Sequence, residues 1–317
     1  MNRCGLLIAV LLIAGAAVAA AQDVDTSYQN LQDAVAKLGT DQKAQAGADV
    51  LSADVAAVKK LAGETSALAR QEIAKPGDES DPDAAKKRLE DLHAIDTYTE
   101  YALYATAVQS DAPVLVDLIG TLEKQNPKSK YLDQGYQVYL AALAKTGSSK
   151  ITAIADKALL SFPQNPVLLY YLANSAANRG QSDRALTFSM RLIALWNSHP
   201  KPPEGVSEAD WDRQRDASLG PSYYMAGKVY AASSRWVDAD KYLRAALPFA
   251  KGNPAMQAEA LFQLGIANYN LGKMTMSKAR ILEGAQFSEQ CAAIQGARTQ
   301  DAWKNAQVMK AEAAKMR

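Results

Sequence analysis

"YYMAGKVYAASSRWVDADKYLRAAL", Tyr223–Leu247, reads as two short amphipathic helices joined back to back. Gly227 stands three residues before Tyr230, Ala239 follows nine residues after that tyrosine, and Ala246-Leu247 closes the second half. Ala and Gly let two helix backbones approach closely, and aromatic rings fill the space beside the crossing. One isolated hairpin has little use for that spacing, which suits a hairpin flanked by others with the same marks.

The neighbours carry them. "LFQLGIANYNLGK", Leu261–Lys273, places Gly265 after Leu264 and Gly272 seven residues later. Upstream, "LLYYLANSAANRGQSDRAL" sets Leu172-Ala173, Gly180 and Ala185 at matching intervals. Earlier still, helices end at Asn126-Pro127 and at Pro163, and the two prolines are 36 residues apart. Recurrence at a near-constant period is the signature of a stack of supersecondary units, each unable to bury its apolar face alone.

The pattern resembles the tetratricopeptide repeat family, whose unit is a helix–turn–helix of about 34 residues. Tyr223, Ala226-Gly227, Tyr230, Ala239, Leu243 and Ala246 fall on the family's marks. Tyr223 stands where Trp is usual and Leu243 where Phe is common, and the closing proline is replaced by Lys251. The resemblance implies an all-α fold: a right-handed superhelical solenoid of helical hairpins, with an N-terminal helical extension and a C-terminal capping helix. Units fall at about 96–130, 131–165, 166–199, 219–253 and 257–292. In the fifth, Ser277 occupies the second-helix alanine position, and the register weakens past Met276.

Other segments surround these units. Residues 22–95 form the extension, helical by apolar spacing, with one or two long helices and then a loop. A new helix follows, capped by Asp81 with Pro82 in its first turn. Residues 200–218 break the period: Pro200, Pro202 and Pro203 make an extended linker, and Ser207 with Asp210 starts a short helix carrying Trp211. Residues 293–317 supply the capping helix.

The first residues read as a secretory signal. Arg3 gives a basic start, Leu6 to Ile13 an apolar run, and Ala19-Ala20-Ala21 the small residues for cleavage after Ala21. Retention as a membrane anchor is the alternative; the stretch is at the short end for a span. The chain is therefore expected in the periplasm or secreted, with no integral span once the signal leaves. Lys+Arg total 35 against 34 Asp+Glu. Removing the first 21 residues takes away Arg3 and no acid, so 34 face 34, and no broad positive field favours nucleic acid.

Catalytic and metal signatures are weak. Asp78, Glu79, Asp81 and Asp83 cluster, but their loop lacks the glycine and terminal glutamate of a helix–loop–helix calcium site. They suit a helix N-terminus. His93 and His199 have no further ligands at zinc spacing, no nucleophile elbow accompanies them, and no glycine loop suits phosphate. Cys291, alone once Cys4 leaves with the signal, reads as a buried hydrophobe, the alternative being an intermolecular disulfide or a reactive thiol. No cofactor, metal or enzymatic activity is expected.

The resemblance does imply a binding surface on the concave face of the first helices. Carried onto this chain, the fifth place of each first helix is Tyr136, Tyr170, Tyr224 and Phe262. The ninth is Leu140, Asn174, Lys228 and Ile266, with Asn178 one turn beyond Asn174. Aromatics and amides suit an extended or helical peptide; the same spacing also suits rings packed inside the solenoid. The expected function is that of an exported scaffold or adaptor for a protein or peptide partner. The alternatives are a self-assembling envelope protein and an all-helical hydrolase or lyase.

Overall fold

A computed structural model of the chain describes residues 23–75, 81–198, 200–202 and 205–316. The signal segment, Asp78, Glu79, His199 and Pro203 lie outside these residues. The described residues form thirteen α-helices and one 3-10 turn, without a β-strand. None of the helices is long and apolar enough to cross a membrane. Two compact units divide the chain at Gln109/Ser110.

The first unit contains α1 (Val24–Lys43), α2 (Ala48–Ala74) and α3 (Pro82–Val108). Asp23 caps α1 by accepting from the Thr26 amide at 2.7 Å. Asp81 caps α3 by accepting from the Asp83 amide at 3.0 Å, and Pro82 opens that helix, as the sequence predicts. Val24, Ala69, Leu92 and Ile95 form a core among the three helices. Polar ties supplement it: Ser27 and Thr65 share a buried 2.8 Å hydrogen bond, and Arg70 donates to Asp96 at 2.8 Å. The expected break at 95/96 falls inside α3, because its buried face continues through Thr99, Ala102, Leu103 and Thr106.

The second unit runs through α4 (Ala112–Gln125), α5 (Lys130–Lys145), α6 (Ile151–Ser161), α7 (Pro166–Asn178) and α8 (Ser182–Asn197). It continues as α9 (Glu208–Ala232), α10 (Trp236–Ala246), the 3-10 turn Leu247–Ala250, α11 (Pro254–Met274), α12 (Lys278–Ala292) and α13 (Thr299–Lys315). Each helix packs on the next, and the alternate helices α5, α7, α9, α11 and α13 also touch in series. This is the connectivity of an all-α, solenoid-like helical repeat.

The turns repeat as well. Gly147, Gly180, Ser234 and Met276 each adopt a left-handed φ, between 51° and 71°, at the turn of a hairpin. The next amide then reaches back five residues: Ser148 to Leu143, Gln181 to Ala176, Arg235 to Tyr230 and Ser277 to Gly272, all at 2.8–2.9 Å. These are Schellman closures, which satisfy carbonyls that the helix end leaves open. Gln45, at φ 54°, closes the α1–α2 turn in the same way.

The crossings explain the small residues. A Cβ on Gly227 would stand 2.6 Å from Leu243 Cγ, and one on Gly272 would stand 2.8 Å from the Ile281 amide nitrogen. Ala226 and Ala239 are fully buried beside the first of these. In the fifth hairpin the register differs from expectation. Ser277 is not a crossing residue but the N-cap of α12, accepting from the Arg280 amide. Because α11 is 21 residues long, both Gly265 and Gly272 lie on its contact face, and Gly284 takes the crossing on α12.

The period-breaking insertion is docked. Ser207 caps α9 at 3.1 Å, as its spacing with Asp210 predicts. The helix it starts then runs unbroken across the expected 218/219 boundary into the first helix of the fourth hairpin. Pro221 lies inside α9 and cannot donate to the carbonyl four residues back. Serine hydroxyls flank it: Ser218 donates to the Gln214 carbonyl at 2.8 Å and Ser222 to the Ser218 carbonyl at 2.7 Å. Trp196 of α8 donates to Ser218 at 2.9 Å and meets Trp211 edge-on, with ring centroids 4.8 Å apart.

Candidate partner-binding surface on the first helices

Residues spaced four apart share a helix face. Tyr170, Asn174 and Asn178 therefore form one line along α7, and Tyr224 with Lys228 a shorter one along α9. Asn174, Asn178 and Lys228 are exposed, whereas Tyr170, Tyr224 and Ile266 are half-buried. Among the described residues neither asparagine amide makes an intramolecular hydrogen bond. Burial alone raises the Tyr170 phenol above its ordinary range.

Tyr136, Leu140 and Phe262 are placed differently. They are buried, with Tyr136 only 2% exposed. The Tyr136 hydroxyl donates to Glu123 Oε1 at 3.0 Å, and Tyr139 donates to the other carboxylate oxygen at 3.4 Å. The Tyr136 ring meets Phe162 edge-on at 5.7 Å. These contacts hold α4, α5 and the end of α6 together, so Tyr136 and Leu140 serve the core. The physical reason is placement: α5 is covered by both α4 and α6 with α7 beyond, and an aromatic at the fifth place falls between them. Desolvation pushes the Glu123 carboxyl upward, and the two phenol donors oppose that shift.

Tyr224 and Phe262 come together through two residues the sequence did not single out. Tyr224 donates to Glu259 Oε2 at 3.5 Å. Arg298, in the turn before α13, donates to Glu259 Oε1 at 2.7 Å, and its guanidinium lies 4.7 Å above the Phe262 ring. Burial, then the neighbouring Glu259 charge, pushes the Tyr224 phenol up to about 12, while Arg298 opposes the shift. Glu259 lies one turn before Phe262 and shares its side of α11. Arg298 had no sequence signal, because 39 residues and a whole hairpin separate it from Glu259.

The remaining candidates resolve simply. Cys291 is fully buried and donates from its thiol to the Ala258 carbonyl at 3.2 Å. Burial raises that thiol, the opposite of what a reactive cysteine needs. His93 lies exposed on α3. Among the described residues no group of three or more His, Cys, Asp or Glu is placed to hold a metal ion.

In comparison with known proteins, no family model matches this chain, and no curated protein sequence matches it.

Proposed function

We propose that this chain is an exported adaptor of tetratricopeptide type that holds a partner polypeptide along the first helices of its hairpins. One observation carries the reading. The adjacent helices α7 and α9 present Tyr170, Asn174, Asn178, Tyr224 and Lys228, with the two amides left open to solvent. Amides that make no intramolecular bond are ready to pair with a peptide backbone, and half-buried phenols add contact area at small entropy cost. Recurrent Schellman turns and small-residue crossings support the tetratricopeptide assignment, with its right-handed superhelix. The apolar run Leu6–Ile13 and Ala19-Ala20-Ala21 support export. In this reading the chain binds and does not catalyse.

The test uses a photo-crosslinking residue at position 174 or 228, with one at Leu160 as control. Leu160 is 84% exposed on α6, a second helix. A partner captured at 174 and 228 but not at 160, and lost in a folded Tyr170→Ala variant, supports the adaptor. Tyr136 is left intact, since its removal would report on the core. Equal capture at all three positions, or none, overturns the reading. Capture of a second copy of the chain supports self-assembly instead.

A further inference from the structure

The insertion between α8 and α9 builds a cleft of about 270 Å³ that the adaptor reading does not use. One wall is a single face of α9, where Glu208, Trp211, Asp212 and Arg215 recur at helical spacing. Trp196, near the end of α8, lies at its back, and the strap Pro200–Pro202 closes the other side.

The chemistry of the lining is selective. Both indole N–H groups are already used: Trp211 donates to the Pro200 carbonyl at 2.8 Å, and Trp196 to Ser218. Trp196 is only 2% exposed, so the half-buried Trp211 is the indole that offers apolar ring surface. Around it the charges balance, with Glu208 and Asp212 against Lys201 and Arg215. Arg215 is fixed between two carboxylates, at 2.7 Å from Asp212 and 2.9 Å from Asp216. Glu208 and Lys201 form no ion pair among the described residues, so an acceptor and a donor remain unengaged.

With Arg215 already paired to Asp212 and Asp216, the open Glu208 and Lys201 are of opposite sign, so the lining has no net charge to select a cation or an anion. A wholly apolar ligand would strip water from charged groups without replacing it. A neutral ring with an apolar face and a hydroxyl rim satisfies every element, its face on indole and its hydroxyls on carboxylate, ammonium and guanidinium. We propose that the Trp196–Trp211 cleft is a binding site for a neutral saccharide. The volume lies below the roughly 300–1,000 Å³ of pockets for drug-sized ligands, so the site takes a mono- or disaccharide end.

The experiment titrates the full chain with glucose, N-acetylglucosamine, maltose, cellobiose and chitobiose by calorimetry and intrinsic tryptophan fluorescence. Tetramethylammonium serves as the cation probe. A saturable signal from at least one sugar is expected, weakened about tenfold by Glu208→Gln through loss of a charged acceptor. Glu208 is exposed at the start of α9, so that variant is expected to keep the native melting curve. Trp211→Ala removes binding, and Trp211→Phe retains part of it. The proposal is overturned if no sugar gives a saturable signal, if Glu208→Gln binds as tightly as the native chain, or if tetramethylammonium binds more tightly than every sugar.

Discussion

Gly284 of α12 sits so close to Gly265 of α11 that a Cβ on Gly284 would lie 2.8 Å from the Gly265 carbonyl oxygen and 2.9 Å from the Tyr269 amide nitrogen. Both neighbours are backbone and cannot rotate away. Gly284→Ala is therefore expected to push the two helices apart and destabilise the protein by about 1–3 kcal/mol, the usual cost of overpacking. Thermal unfolding followed by circular dichroism measures it. An unchanged melting temperature would show that the crossing is looser than this geometry.

The hairpin turns predict a change of the opposite sign. Met276 holds φ 51°, where a side chain is strained, and that side chain is 79% exposed, so its loss sacrifices little packing. Met276→Gly should stabilise by about 1 kcal/mol, while Gly180→Ala, at φ 70°, should destabilise by about as much. Chemical denaturation of the two variants side by side checks the pair. Equal stabilities would remove the left-handed turn from the account.

Asn268 is fully buried and joins three charged side chains. It donates to Asp240 at 2.6 Å and accepts from Arg280 at 2.9 Å and Arg244 at 3.3 Å. Replacing it with leucine keeps comparable bulk but leaves part of that network without its partner. A loss of about 2–3 kcal/mol is expected. An Asn268→Leu, Asp240→Leu double variant should lose less than the sum of the two singles, which a double-mutant cycle reads directly.

Glu123 supplies a pH dependence. Burial raises its carboxyl above the ordinary range, so the folded state holds the proton more tightly than the unfolded chain. That contribution to stability is complete below the unfolded glutamate range and is lost as pH rises through the raised folded value. Glu123→Gln should therefore be more stable than the native chain at pH 7 and equal to it near pH 3. A variant less stable at pH 7 would mean that the ionised carboxylate, held by Tyr136 and Tyr139, outweighs its desolvation.

Local signals carried much of the fold. The caps at Asp81 and Ser207 and the hairpin positions of α5 through α12 followed from helical periodicity, turn residues and small-residue spacing, all of which act within a few turns of chain. Two boundaries did not follow. The break expected at 95/96 lies within α3, and the one at 218/219 lies within α9, which continues through Pro221. The register of the fifth hairpin also shifted, since Gly265 and Gly272 both fit a crossing and only the length of α11 selects their partners.

The sequence by itself determined that this is a chain of helical hairpins, because periodicity, Gly and Ala spacing and capping residues are written locally. It also offered Tyr136, Leu140, Tyr170, Asn174, Asn178, Tyr224, Lys228, Phe262 and Ile266 alike as candidate surface. The tertiary structure decided which aromatics are surface and which are core, burying Tyr136 against Glu123 and Phe162 while leaving Tyr170 half-exposed. It also brought Arg298 to Glu259 and folded the proline strap against Trp211. Those outcomes depend on neighbours distant in the chain, and a helical period records which residues share a face but not what covers it.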